Sequence, residues 1–390
     1  MMGSICFVAH TAFGELSGGS VGSFGGIQRQ QSLMARWLAT RGYRVSMITW
    51  DEGQPDGLNI DGVRAIRLCR SDAGWPGLRF FYPRWTSLLR ALRQADADLY
   101  YHNSAEYVTG QIALWCRATR RHFVYSVASD PACEADLAIM PTRRERLLYR
   151  YGLRKADRVI TQTRHQQRLL KSNFGVESLV LPMPCPDPAV VESMLARTAP
   201  ADSRRVLWVG RIAEMKRPEV LLDIAGALPR LAFDLAGAPD MDTPYSRAIL
   251  ARAHALPNVI VHGRTDREQL HQLYQRASLL CCTSSYEGFP NTFLEAWSYG
   301  LPVVSAVDPD GLIKERGLGA VAGDPRGLLA ALQRILAAAD EWRVLSASCR
   351  RYYLDHHTPD SAMAQFERMF RQLLPAARQA TPVAPSRRPV

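Results

Sequence analysis

No run of eighteen or more apolar residues occurs in the 390-residue chain, and its opening, MMGSICFVAH, lacks a basic region followed by a long apolar stretch. Both absences speak against a membrane-spanning helix and a secretory leader. Cysteine is sparse: eight residues are scattered along the chain, none paired at metal-ligand spacing, with the adjacent Cys281 and Cys282 inside an apolar run. Neither a zinc site nor a disulfide framework is indicated, which fits a reducing compartment and a cytoplasmic protein. The dinucleotide fingerprint is missing, and the Asp-x-Asp spacing at Asp96 and Asp98 precedes a strand-like run, so no metal is expected there. Acidic residues are the minority charge, 37 against 48 basic, for a net +11. The basic residues are mostly arginines spread over the whole length, without interleaved aromatics or a recognisable binding module, which argues against a nucleic-acid partner.

What is present is alternation. Short apolar runs alternate with amphipathic stretches, as parallel sheets covered by helices require. With 47% hydrophobic residues the chain is long enough for two domains. In the first half the strand candidates are SICFVAH from Ser4, RVSMITW from Arg44, VRAIRL from Val63, ADLYYH from Ala97, HFVYSVA from His122 and RVITQT from Arg158, with helices such as Gln28 to Thr40 and Val108 to Arg117 between them. LPMPCPDPAVV, Leu181 to Val191, carries four prolines and reads as an interdomain linker. A second alternation follows through RVLWVG, LAFDLAG, NVIVHG, SLLCCTS and LPVVSA, then short helices from Gly327 and Glu341 and an amphipathic stretch from Pro359 to Leu374. The proline-rich tail, 376–390, reads as disordered.

In open parallel sheets ligands bind beyond the carboxyl ends of the strands, so the loops there are the candidates. TAFGELSGGSVGSFGGIQRQQ follows the first strand and places Gly25 and Gly26 just before a helix, where backbone N–H groups can approach an anion. VGRIAEMKRPEVLL sets Arg211 and Lys216 on a strand-to-helix connection with Pro218 suited to the first helical turn, a pair of cations suited to a diphosphate. SSYEGFPNTFLEAWSYGLPVV carries Glu287 and Glu295 on either side of Gly288-Phe289-Pro290-Asn291. Thr292 to Glu295 fits a capping box, which accounts for Glu295 but leaves Glu287 unexplained. The densest basic run, Arg143 to Arg158, has seven basic and two acidic residues in a helical pattern. It suits a solvated face or an anionic membrane surface.

VGRIAEMKRPEVLL followed by SYEGFPNTFLEAWSYGLPVV closely resembles the nucleotide-sugar domain of family 4 retaining glycosyltransferases, and GGIQRQ with LATRGYRVSMIT resembles that family's acceptor-side opening. The resemblance implies the GT-B fold, α/β with two Rossmann-like doubly wound domains facing a cleft. Residues 1–183 would form the acceptor-side domain, 184–358 the nucleotide-sugar domain, and 359–375 a helix crossing back to the first. It implies that Arg211 and Lys216 neutralise the donor diphosphate and that Glu295 binds the ribose. Glu287 would lie by the donor sugar, and Gly288, Phe289, Pro290, Asn291 and Thr292 would hold sugar hydroxyls and phosphate. Many members carry a histidine in the loop where this chain has Ala128-Ser129-Asp130; Asp130 or His102 is the substitute, with a structural role for His102 the competing reading.

The expected activity is a metal-independent, retaining hexosyltransferase. It would use a nucleotide-diphosphate sugar and a glycan or lipid-linked acceptor, in cell-surface polysaccharide or glycolipid synthesis, and need no cofactor. The protein would be cytoplasmic, peripheral on the inner membrane face if Arg143–Arg158 docks there. The rivals are a sugar-nucleotide epimerase or hydrolase on the same fold and a non-catalytic nucleotide-sugar binder.

Overall fold

The computed structural model describes residues 2–18, 25–188 and 204–374. The expected tail lies outside them, as do the last residues of the expected linker. The chain divides into two compact units, Met1–Ser126 with Met140–Val159 and Ala364–Val390, and Val127–Ile139 with Ile160–Met363.

The first sheet is built from β1 (Ser4–Val8), β2 (Arg44–Thr49), β3 (Asn59–Ile60), β4 (Val63–Arg67), β5 (Leu99–His102), β6 (His122–Ser126), β7 (Arg158–Thr161) and β8 (Leu179–Val180). Its order is β3-β4-β2-β1-β5-β6-β7-β8. All six strand candidates of the first half are strands. The pairings of β2, β1, β5 and β6 are parallel, and the short β3 runs antiparallel to β4. The central strands are mainly apolar because both faces are covered: β1 and β5 are buried over their full lengths, with Ser4 and His102 as polar residues at their ends. The second sheet comprises β9 (Arg205–Val209), β10 (Ala232–Ala236), β11 (Val259–Gly263), β12 (Leu279–Cys282), β13 (Val303–Ser305) and β14 (Gly319–Val321), in the order β11-β10-β9-β12-β13-β14. Trp208, Leu221, Phe233, Leu279, Val304 and Trp342 belong to its core. In each sheet the order reverses beside the opening strand, at β1/β5 and at β9/β12, and such switch points open crevices beyond the strand ends.

Asp234 in β10 is fully buried yet matched on every side. Arg205 donates to it through Nε and Nη2 at 2.7 and 2.8 Å, Arg276 at 2.7 Å, and His262 Nε2 lies 2.7 Å away. Burial pushes its carboxyl up, but the hydrogen bonds from Arg205 and His262 outweigh it and hold the group below the usual range.

Several expectations are corrected. Thr292 to Glu295 is not a capping box: the helix Asn291–Ser298 starts one residue before Thr292, its N-cap is Pro290, and no side chain caps it. Proline in extended backbone already turns the chain into the helix, leaving Thr292 inside the first turn. The helices expected to be short run Pro325–Ala337 and Ala339–His356. The first begins before Gly327 because Asp324 accepts from the N–H groups of Arg326 and Gly327, both at 3.0 Å, with Pro325 at the first helical position. The glycine-rich loop after β1 starts with a short helix, Phe13–Ser17. Asp98 has a structural task, accepting from the Ser4 backbone at 2.9 Å and from Arg121 at 3.1 Å.

Candidate active site

In the second unit the loops after β9 and β12 are tied together. Trp208 Nε1, near the end of β9, donates to Thr283 Oγ1 at 3.0 Å, and that hydroxyl donates to the Lys216 carbonyl at 2.7 Å. The Ser285 N–H donates to the Met215 carbonyl at 2.9 Å. These bonds set Lys216, at the end of the turn Glu214–Lys216, against Glu287, and the two form a short, half-buried ion pair. Pro218 opens the next helix, Pro218–Ala227, as its spacing predicts. Arg211 is exposed and pairs with Asp240.

Asp240 begins Asp240-Met241-Asp242, a second Asp-x-Asp spacing that lies in the loop after β10 and that the reading of Asp96 and Asp98 passed over. Both its carboxylates face arginines, Asp240 with Arg211 and Asp242 with Arg247 at 3.2 Å. Glycine is required beside this loop. Gly237 follows β10 at φ +152°, and a Cβ there would collide with the Gly210 carbonyl at the end of β9.

Glu295, released from capping, accepts a hydrogen bond from the Tyr274 hydroxyl at 2.9 Å. Tyr274 stacks on Tyr299 with ring centroids 5.2 Å apart. Arg267, at the start of the helix Arg267–Arg276, feels the Glu295 charge, although burial dominates and pushes its guanidinium below its ordinary value. Phe289 packs edge-on against Trp297 at 6.1 Å and lies 5.8 Å from the His357 ring. Pro290 is buried, and Asn291 and Thr292 are the first residues of the helix.

Gly288 meets a third loop. A Cβ there would lie 2.8 Å from Gln166 Nε2 and 3.2 Å from both the Ala128 carbonyl and Ser129 Cα. Gln166 is fully buried. Its Nε2 donates to Asp130 Oδ1 at 3.0 Å, and its Oε1 accepts from the Gln162 N–H at 2.9 Å. Asp130 is thereby fixed next to the Gly288 turn. Burial pushes its carboxyl up, opposed by the Gln166 hydrogen bond and by nearby His165.

Gly25, Gly26 and His102 belong to the first unit. Gly25 is the extended N-cap of the helix Gly26–Thr40, and residues 19–24 of the glycine loop lie outside the described residues. His102 ends β5, with Nδ1 2.8 Å from the Val8 carbonyl, so that nitrogen carries the proton. Its Nε2 and His10 Nδ1 each lie 3.9 Å from the same oxygen of Glu106. Burial lowers both imidazoles, His10 to about 4, so both are neutral near pH 7.

Sequence reasoning missed Gln166, Tyr274 and Arg267. Each reaches the site across long sequence separations from a helix, and glutamine or tyrosine on an amphipathic helix carries no local signal.

Two family models match the chain, one described as a glycosyl transferase 4-like domain over residues 25–186 and one as glycosyl transferases group 1 over residues 203–338. A D-inositol 3-phosphate glycosyltransferase of Mycolicibacterium vanbaalenii is 30% identical over 246 residues, 55% of this chain and 53% of that protein. The chain thus spans about half the length of that curated relative. Sucrose-phosphate synthase from Thermosynechococcus elongatus superposes with a TM-score of 0.76 at 22% identity, over 95% of this chain and 99% of that one. Anabaena HepE in complex with UDP-glucose does so with a TM-score of 0.71 at 14% identity, over 95% of this chain and 100% of that one. These likenesses show the fold, two parallel-sheet α/β domains of the GT-B type.

Proposed function

The chain belongs to the family 4-type glycosyltransferases, and from that premise we propose that it moves a hexose-type sugar from a nucleotide-diphosphate donor to a glycan or lipid-linked acceptor with retention of configuration. The observation that carries this reading is the Lys216–Glu287 pair, which joins the loops after β9 and β12, the two strands at the switch point of the second sheet.

In this reading the diphosphate lies between Arg211 and Lys216, at the start of the helix Asn291–Ser298. Lys216 turns from Glu287 toward phosphate, and Arg211 from Asp240. Glu287, so released, accepts from a hydroxyl of the donor sugar, and Glu295, positioned by Tyr274, accepts from the ribose. Asp130, held by Gln166 beside the Gly288 turn, orients a hydroxyl at the reacting centre. The bond from the anomeric carbon to the diphosphate oxygen breaks as the acceptor oxygen bonds the same face. The acceptor proton passes to the departing diphosphate. Such a step depends on stabilising the leaving charge and on positioning, which two cations and a helix N-terminus supply without a metal.

Membrane placement is part of the proposal, since a lipid-linked acceptor requires it. Among the described residues no helix is long and apolar enough to cross a membrane, and the helix Arg143–Lys155 presents exposed arginines.

The test is release of nucleoside diphosphate, after a thermal-shift screen of nucleotide sugars has identified a donor. Release that depends on an acceptor pool, with an α- or β-linkage matching the donor, supports transfer. Release without acceptor means a hydrolase, a changed sugar still on the nucleotide means an epimerase, and a shift without turnover means a binding protein.

A further inference from the structure

The first unit carries an aromatic spur that leaves four large side chains exposed among the described residues. Between Gly74 and the helix Thr86–Ala95, the segment WPGLRFFYPRW, which turns at Gly74 and Gly77 with φ +89° at both, leaves Trp75 80%, Leu78 64%, Phe81 56% and Tyr82 73% exposed. The segment also corrects the reading that arginines here lack interleaved aromatics, since Arg79 and Arg84 sit within it. Four large apolar side chains exposed within eight residues form a surface that water alone does not favour.

The spur is held in shape. The N–H groups of Leu78 and Arg79 donate to the Trp75 carbonyl at 3.1 and 2.9 Å, and that of Phe81 donates to the Leu78 carbonyl at 2.9 Å. Phe80 is its peg, buried among Trp85 and Tyr107 at centroid distances of 5.4 and 5.1 Å. The Arg144 guanidinium lies 3.7 Å above the Phe80 ring and so joins the spur to the basic helix Arg143–Lys155. That helix packs its Gly152 against Gly110 of the helix Val108–Thr119 so closely that neither position has room for a Cβ. Arg143, Arg144 and Arg154 remain exposed, and Leu147 is 67% exposed.

We propose that this spur and the basic helix form one membrane footprint, in which Trp75, Leu78, Phe81 and Tyr82 enter the headgroup region of an anionic bilayer while the arginines pair with lipid phosphates. Aromatic side chains favour the bilayer interface, and basic residues near anionic lipid add attraction. The charge decides the occupant. A two-fold dimer through the same patch would bring the arginines of one copy onto those of the other, whereas an anionic surface complements them. This extends the membrane element of the proposed function from a basic face to an inserting spur and does not depend on the donor site.

The experiment is sedimentation of the full chain with vesicles of phosphatidylcholine, alone or mixed with phosphatidylglycerol. It compares wild type with Trp75→Ser/Tyr82→Ser and with Arg143→Glu/Arg154→Glu. All four positions are exposed, and unchanged thermal midpoints confirm intact folds. Wild type is expected to bind the anionic vesicles, and each double variant to bind at least about tenfold more weakly. Tryptophan emission should shift to the blue on binding, and Trp75→Phe should lose most of that shift. If Trp75→Ser/Tyr82→Ser binds as wild type does, or wild type binds neutral vesicles equally well, the footprint is overturned. A wild-type dimer in sedimentation velocity that this variant abolishes would assign the patch to self-association and overturn it equally. Because no donor or turnover is involved, failure here leaves the transferase reading standing, and the converse holds.

Discussion

Lys216 and Glu287 neutralise each other at a half-buried position, so each substitution exposes the preference of the partner it leaves behind. In the proposed site, Glu287→Ala frees Lys216 for phosphate. It should lower turnover more than about tenfold, a loss of about 1.4 kcal/mol in transition-state stabilisation, while nucleoside-diphosphate affinity stays level or rises. Lys216→Ala should instead weaken that affinity. Titration calorimetry with the nucleoside diphosphate separates the two, and equal loss of affinity in both would refute the division of labour. Asp130 makes a prediction in pH. Burial raises its carboxyl, so the native state favours the protonated form, and the stability this group contributes at low pH is lost as pH rises through the raised value. Asp130→Asn removes the charge while keeping an oxygen for Gln166. The variant should match wild type in thermal midpoint in acid and exceed it at neutral pH, with lower turnover. A constant gap at all pH values would mean that the carboxyl binds its proton equally well folded and unfolded, so that burial does not raise it.

At the scale of elements, the ends of β9 and β10 approach so closely that their junction depends on the hydrogen-sized side chain of Gly237. Gly237→Ala should destabilise by several kcal/mol, because the added carbon meets the Gly210 backbone at an unfavourable φ. Gly175→Ala, at φ +65° with open space around it, should cost only about 1 kcal/mol. Denaturant midpoints compare them, and equal losses would show that φ rather than contact governs. The same scale explains what the sequence could disclose. The eleven predicted strands were legible because parallel strands covered by helices leave short, mainly apolar runs, even where Asp234 in β10 or Arg64 in β4 interrupts them. β3, β8 and β14, with two or three residues each, are too short for a periodic signal. The cap at Thr292 was misread because a Thr-x-x-Glu spacing says nothing of where the backbone first turns, and Pro290 settled that. Arg211, Lys216, Glu287 and Glu295 stand out as candidates through their motifs, whereas the Lys216–Glu287 bond depends on Thr283 and Ser285 tying two loops 67 or more residues apart. Gln166 had no motif to announce it. The exposure of the spur at Trp75 had no sequence signal, since aromatic residues are equally common in cores.

For the whole molecule, the proposal that no metal carries the leaving charge predicts full turnover in excess chelator. Arg211→Ala should then fall at least about a hundredfold, roughly 2.7 kcal/mol. Turnover abolished by chelator, with Arg211→Ala still active, would turn attention to Asp240 and Asp242 as holders of an ion. The first unit is assembled from three separate stretches, the last beginning at Ala364. The helix Pro359–Leu373 contributes buried Phe366, Met369 and Phe370 to it, and Glu367 accepts from the Tyr43 hydroxyl at 3.1 Å. On the ribosome this order inverts the expected sequence of maturation. The second unit has all its residues by Met363, while the first, although its strands emerge earliest, waits for the final helix. A nascent chain halted before Ala364 should therefore resist protease across the second unit and be cut in the first, and the two should become equally resistant once the remaining residues are added. Early arrest during translation would thus leave a folded second unit joined to an immature first, a species that chaperones and proteases would meet before the final helix has emerged.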